Sequence, residues 1–172
     1  MTDGLRPAST ADVPALTQIY AHHVLNGTGT FEVEPPDEGE MAARFHAVTA
    51  TSLPYLVATD GGDVVGFAYA GPYRPRPAYR FTVEDSIYLD PNATGRGLGT
   101  RLLSDLLHRC ERLGIRQVIA VIGDSDNTPS IRLHDKCGFD HVGTLRDVGW
   151  KHGRWLDTVL MQRTLSAADA GL

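Results

Sequence analysis

The stretch Tyr88-Leu89-Asp90-Pro91-Asn92-Ala93-Thr94-Gly95-Arg96-Gly97-Leu98-Gly99-Thr100 constrains this chain more than any other. A strand-like run meets a proline turn, three alternate glycines follow, and a strongly amphipathic helix begins. The first N–H groups of a helix have no partner within it. They point outward as an anion site, and the helix dipole reinforces it. Glycine permits positive φ and lets a ligand approach where a Cβ would stand. The segment reads as a seat for a pyrophosphate.

A glycine-rich loop alone also fits a plain strand-to-helix turn. Two nucleotide motifs are excluded by spacing. A P-loop ends in Gly-Lys-Ser/Thr, but Gly97 is followed by Leu98-Gly99-Thr100. The dinucleotide fingerprint has a different glycine spacing and opens near a first strand. Here the glycines lie mid-chain with no βαβαβ run before them.

The rest of the chain supplies a mixed α/β order. Leu5-Arg6-Pro7 reads as a first strand, and Ser9, Thr10 and Asp12 offer N-cap chemistry. Val13, Leu16, Ile19, Tyr20 and Val24 then recur at helical spacing until Asn26-Gly27. A second helix follows Pro35-Pro36, starting near Asp37 or Glu38. Tyr55–Ala58 and Val64–Ala70 read as strands joined by the turn Asp60-Gly61-Gly62-Asp63. Phe81 to Leu89 is the strand entering the glycine loop. The helix after it carries Leu98, Leu102, Leu103, Leu106, Leu107, Cys110 and Leu113 on one face and stops at Gly114. Gln117–Ile122 reads as a buried strand, Asn127–Cys137 as a short helix, and Val142–Val148 with Leu156–Leu165 as an antiparallel pair. The expected order is βααβββαβαββ, about seven strands and four helices. It forms one domain over 1–172, with a core from about 5 to 165 and a frayed tail from Ser166 to Leu172.

Charge and cysteine usage narrow the function classes. The 172 residues carry a net charge of −5, which disfavours broad nucleic-acid binding. The same sign disfavours any polyanion, so a pyrophosphate site needs local positive potential from loop amides, Arg96 and Arg101. No run is long enough for a membrane span, and the N-terminus lacks a signal pattern, so a cytoplasmic location is expected. Cys110 falls on an apolar helix face and Cys137 at a helix end, with no disulfide expected in a reducing compartment. No His or Cys pair has zinc-ligand spacing, and no metal is expected.

The basic residue Arg96 with Gly97-Leu98-Gly99 resembles the coenzyme A pyrophosphate loop of the GNAT N-acetyltransferases. Val83-Glu84-Asp85-Ser86 upstream, Asn127-Thr128-Pro129-Ser130-Ile131-Arg132-Leu133-His134-Asp135-Lys136-Cys137-Gly138-Phe139 downstream, and Lys151 to Asp157 widen the likeness. Together they resemble the phosphinothricin and methionine sulfoximine acetyltransferase branch over roughly Leu5 to Leu165. One departure is Thr94, where the family carries Gln or Arg; a polar side chain is lost and the backbone donors stay. The resemblance implies a GNAT fold: a central, mostly antiparallel seven-stranded sheet whose fourth and fifth strands splay apart to admit the cofactor. It also implies acetyl-CoA as cosubstrate, held by Gly95, Arg96, Gly97, Leu98, Gly99 and Thr100. Ile87, Tyr88, Leu89 and Asn127 would serve the acetyl and pantetheine parts.

Acetyl transfer to an amine needs a proton acceptor, stabilisation of the thioester oxygen, and relief of the leaving thiolate. Glu84 is the candidate base, since it stands on a strand of apolar or small residues just before the loop. A solvated edge-strand carboxylate, or a partner for Arg80, is the competing reading. Alternation puts Asp85 on the opposite face, so it is read as the structural carboxylate. A carboxylate of pKa about 4.3 is a feeble base, and burial would raise it. Removal of the proton through a water is equally consistent. His134 is either packed against Leu133 and Phe139 or, as the resemblance implies, an oxyanion or thiolate stabiliser. Asn127 also fits a plain N-cap.

Arg74-Pro75-Arg76-Pro77-Ala78-Tyr79-Arg80 bears on substrate. It reads either as a proline-stiffened solvated connection or as a guanidinium clamp for a carboxylate or phosphinate. The resemblance assigns Tyr73, Arg74, Pro75, Arg76 and the Thr82-Val83 backbone to an amino-acid-like substrate, and Phe31 to the pocket wall. Phe31 as a core anchor fits as well. A homodimer through Lys151 to Trp155 is implied by the branch. The expected activity is direct acetylation of an α-amine in a ternary complex, because no cysteine sits where an acyl-enzyme needs it. Peptide or protein N-terminal acetylation and a non-catalytic coenzyme A sensor are the alternatives.

Overall fold

Asp60-Gly61-Gly62-Asp63 turns the chain tightly because both glycines take positive φ, +60° and +95°. A two-residue turn of that hand suits the twist of antiparallel strands. It joins β2 (Tyr55–Asp60) to β3 (Asp63–Pro72). The computed structural model describes residues 4–166. Around this hairpin stand β1 (Gly4–Pro7), β4 (Thr82–Leu89), β5 (Gln117–Gly123), β6 (Asp140–Lys151) and β7 (Arg154–Thr164). The seven strands among the described residues form one sheet in the order β1-β2-β3-β4-β5-β7-β6. Every pair is antiparallel except β4 with β5. The expected element order is the observed one. The tail expected beyond Ser166 lies outside the described residues.

Among the described residues four α-helices cover the two faces. α1 (Val13–Asn26) follows a 3-10 turn whose Asp12 carboxylate accepts from the Ser9 amide at 2.7 Å and pairs with Arg6 at 2.7 Å. α2 (Glu38–Thr49) is capped by Asp37, which accepts from the Glu40 amide at 2.8 Å. Leu16, Val24, Phe45, Val57 and Phe67 pack between these helices and the sheet. α3 (Leu98–Arg112) lies on the other face, where Leu102, Leu103 and Leu106 are fully buried against Ala58, Ala68 and Ala70. Small strand residues let this helix approach closely; truncating one such leucine to alanine typically costs about 2–5 kcal/mol. Gly114, at φ +78°, ends the helix and hands the chain to β5. α4 (Thr128–Lys136) packs on the same face.

The parallel pair is short. Thr82 to Asp85 of β4 face Gln117 to Ala120 of β5, and there the register ends. β4 runs on beside β3 as far as Leu89↔Gly66, and β5 runs on beside β7 as far as Gly123↔Thr158. The two strands therefore diverge after Asp85 and Ala120. This is the splay that the resemblance implies.

The last hairpin is longer than alternation indicates. β6 and β7 pair up to Lys151↔Arg154 because His152 and Gly153 take positive φ, +51° and +72°. A positive-φ histidine is a poor turn signal, and Gly149-Trp150-Lys151 carries no apolar alternation. A bulge between Leu145 and Gly149, with Asp147 at φ +53°, breaks the period further.

Candidate active site

The glycine loop places its backbone donors at the mouth of the splay. Gly95 and Gly97 take φ +74° and +76°, and Gly97 is the N-cap of α3. The first helical bond runs from the Arg101 amide to the Gly97 carbonyl at 3.2 Å. The amides of Leu98, Gly99 and Thr100 thus have no acceptor within the helix. A Cβ added at Gly95 or Gly97 would meet no atom within 4 Å. Packing does not demand glycine there; the positive φ and an open approach for a ligand do.

A cavity of about 790 Å³ fills the gap between β4 and β5. Among the residues expected to hold the cofactor, Ile87, Tyr88, Leu89, Gly95, Gly97, Gly99, Thr100 and Asn127 line it. Arg96 does not: its guanidinium is paired with Asp60 at the β2–β3 turn. Leu98 turns its side chain into the core. Asn127 caps α4, accepting from the Ser130 amide at 3.4 Å, and borders the cavity as well. His23, which no sequence signal singled out, donates from Nε2 to the Leu89 carbonyl at 2.7 Å and also lines the cavity.

Glu84 and Asp85 face opposite sides of β4, as alternation requires. Asp85 shares the α3–α4 face with Val83 and is 6% exposed, while Glu84 is half-buried. Both border the cavity, because the splay is where the two faces of the sheet meet. Burial, and next the Asp85 charge, push the Glu84 carboxyl above its ordinary value. A stronger base at neutral pH results.

His134 is 2% exposed, and both of its nitrogens are engaged. Nε2 meets Asp85 Oδ2 at 2.9 Å, and Nδ1 meets the Ser130 carbonyl at 2.7 Å. A carbonyl only accepts, so Nδ1 carries a hydrogen. Burial pulls this imidazole down, yet the Asp85 hydrogen bond and charge, with the Ser130 carbonyl, raise it overall. Asp85 Oδ1 is buried without a hydrogen-bond partner among the described residues, so His134 is the group that balances this carboxylate. The ring also stacks edge-on against Phe139 at 4.9 Å, so the packing reading and the polar reading both describe it.

Phe31 lies on the cavity wall. Its ring sits where two glycines leave room. A Cβ at Gly149 would come within 2.3 Å of the ring, and one at Gly123 within 2.9 Å. The β6–β7 turn ties the loop around Phe31 in place. Lys151, 3% exposed, donates from Nζ to the Thr30 carbonyl at 2.8 Å, and burial pushes its ammonium below the usual lysine range. His152 Nε2 lies 3.2 Å from the Gly27 carbonyl. Arg154 and Thr28 both donate to the buried Asp124, at 2.5 and 2.9 Å. Spacing gave no sign of these ties, three of which join residues 96 to 125 positions apart, while Arg154 and Asp124 lie 30 apart.

The arginine segment stands apart from the cavity. Tyr73 is half-buried, Arg74, Pro75 and Arg76 are exposed, and none of them lines it. Arg74 lies over the Tyr73 ring at 5.2 Å. Thr82 and Val83 begin β4 beside Glu84; the Val83 side chain is in the core, leaving only its backbone for a ligand.

A splayed parallel pair, unpaired amides at a helix start beyond it, and a buried carboxylate beside the gap define an acyltransferase built to hold a pyrophosphate-linked thioester. The chain belongs to the acetyltransferase (GNAT) family, whose profile matches residues 16–139. It is 56% identical over 161 residues to a phosphinothricin N-acetyltransferase of Alcaligenes faecalis, covering 94% of this chain and 82% of that one. It is 39% identical over 166 residues to an L-methionine sulfoximine/L-methionine sulfone acetyltransferase of Pseudomonas aeruginosa, covering 96% of each. The crystal structure of a GNAT superfamily phosphinothricin acetyltransferase from Sinorhizobium meliloti, in complex with AcCoA, superposes with a TM-score of 0.92 at 53% identity. It covers 96% of this chain and 89% of that one.

Proposed function

We propose that this protein transfers acetyl from acetyl-CoA to the α-amine of a small amino-acid-like substrate of the phosphinothricin or methionine sulfoximine type. The observation that carries the reading is one cavity bordered both by the free amides at the start of α3 and by Glu84. The activities named for the relatives support it. The amides of Leu98, Gly99 and Thr100 hold the diphosphate. The β5-facing edge of β4 beyond Asp85, where the pairing with β5 has ended, receives the pantetheine arm with Asn127. Glu84, directly or through a water, takes the proton from the incoming ammonium. The amine attacks the thioester in a ternary complex. Both thiols are poor acyl carriers, because burial pushes Cys110 up to about 12 and raises Cys137 as well.

Arg74 and Arg76 are the groups whose chemistry suits the carboxylate and phosphinate of such substrates. Their place, just before Thr82 and Val83, puts them on the chain segment that leads to Glu84. A homodimer is supported by the edge strand β6 and its neighbour β7, which expose Val142, Leu145, Val148, Trp150 and Trp155. Two free buried cysteines suit a cytoplasmic setting. Among the described residues no helix is long and apolar enough to cross a membrane.

A competition assay tests the substrate class. With acetyl-CoA fixed, phosphinothricin and methionine sulfoximine are expected to outcompete peptides with free N-termini. Preference for the peptides would move the reading to N-terminal acetylation.

A further inference from the structure

We propose that Ser130 delivers the proton that the leaving thiolate takes up, and that His134 and Asp85 supply it through the Ser130 hydroxyl. This rests on the acetyl-transfer reading above. Neither nitrogen of His134 is free toward the cavity, so the ring cannot itself be the last donor. Ser130 lines the cavity, and its Oγ lies 3.5 Å from His134 Nδ1. Nδ1 must carry a hydrogen, since it meets the Ser130 carbonyl at 2.7 Å. The hydroxyl oxygen can therefore only accept from that side, which leaves its own hydrogen for the cavity. Behind the ring, Asp85 Oδ2 holds Nε2 at 2.9 Å, and the buried Oδ1 has no hydrogen-bond partner among the described residues. Ser130, His134 and Asp85 thus form a line from the cavity to a buried negative charge.

The C–S bond of the tetrahedral intermediate breaks and its electron pair stays on sulfur. The Ser130 hydroxyl proton moves to sulfur, and the Nδ1 proton of His134 shifts from the carbonyl to the Ser130 oxygen. The imidazole is left neutral, with Nε2–H still on Asp85. The amine's proton leaves through Glu84, and His134 is recharged from solvent. A hydroxyl alone is a weak acid toward a thiolate; coupling its loss to the imidazolium removes the need for an alkoxide.

The titratable groups around the pair are Glu84 on β4, Cys110 on α3 and Cys137 at the end of α4. Burial keeps both thiols neutral over the working range, and Glu84 acts on the acid side of the profile. The alkaline side then reports His134.

Single-turnover acetyl transfer is measured against pH and in H2O/D2O mixtures for wild type, Ser130→Ala and Ser130→Thr. Alanine is a good helix residue, and the Ser130 amide that Asn127 caps is kept. Wild type is expected to slow above the His134 transition and to give a bowed proton inventory. Ser130→Ala is expected to be slower by about 10²-fold, with no alkaline limb and a linear inventory. Ser130→Thr is expected to restore both features. A Ser130→Ala rate within twofold of wild type, or a slow variant that keeps the alkaline limb, overturns the relay alone. So does an acetylated Ser130 trapped before amine is added. A wild type that binds acetyl-CoA but acetylates no amine overturns the acetyl-transfer reading, and the relay with it.

Discussion

Glu84 and Asp85 share a peptide bond yet serve opposite faces of the sheet. Glu84 stands half-buried with no salt bridge among the described residues, while Asp85 is held against His134 at 2.9 Å. The strands part at this rung, so both carboxyl groups reach one cavity. The fold thereby sets two consecutive carboxyl groups in different surroundings, one half-buried at the cavity and one buried against a histidine.

Glu84→Gln is expected to lower kcat by about 10²-fold or more, with acetyl-CoA affinity little changed. Steady-state kinetics paired with calorimetry checks this. Equal turnover in the variant would remove Glu84 from the chemistry.

The same substitution is expected to stabilise the protein at neutral pH. The folded state raises the Glu84 pKa, so it favours the protonated carboxyl. The stability this gives is complete below the unfolded value of about 4.3 and is lost as pH rises through the folded value. Above that window the ionised side chain is a liability that Gln lacks. A Tm at pH 8 that falls in Glu84→Gln would contradict this.

His134 has the same sign with a different window. Its pKa is raised in the folded state, so its contribution is complete below about 6.5 and fades as pH rises through the folded value. His134→Gln leaves Asp85 buried without its partner and is expected to cost about 3–5 kcal/mol near pH 6. Denaturant titrations from pH 6 to 9 should show the gap to wild type narrowing. A constant gap would mean that the pair carries no shared proton.

Gly149→Ala is expected to displace Phe31, since the new Cβ would fall within 2.3 Å of its ring. The overpacking costs about 1–3 kcal/mol. Substrate KM should rise more than acetyl-CoA KM. A variant with unaltered KM for the amine would take Phe31 off the substrate wall.

Arg74→Ala is expected to raise KM for an anionic amino acid about 10- to 100-fold, the worth of one charge-assisted hydrogen bond, with a smaller change in kcat. Kinetics with the corresponding neutral amide as acceptor provides the control. An equal loss for both acceptors would return the arginine segment to a solvated connection.

Much of this architecture is legible in the sequence. The turn at Gly61-Gly62, the periodicity of α3 and the stop at Gly114 are local signals, and local signals survive folding. The alternation of Glu84 and Asp85 was legible for the same reason. The His134–Asp85 pair joins positions 49 apart, and the Lys151–Thr30 tie joins positions 121 apart. Such contacts follow from sheet order, which composition and spacing do not encode. Arg96 shows the converse. Its place in the loop suggested a phosphate ligand, but a carboxylate across the β2–β3 turn holds it.

The proposed reaction moves acetyl from coenzyme A to a small α-amine in the gap between β4 and β5. Thiol release from acetyl-CoA, followed across a panel of amino acids and their analogues with the product identified by mass, tests it most directly. One thiol per N-acetylated phosphinothricin or methionine sulfoximine is the predicted result. Bound acetyl-CoA with no thiol released by any small amine would contradict it.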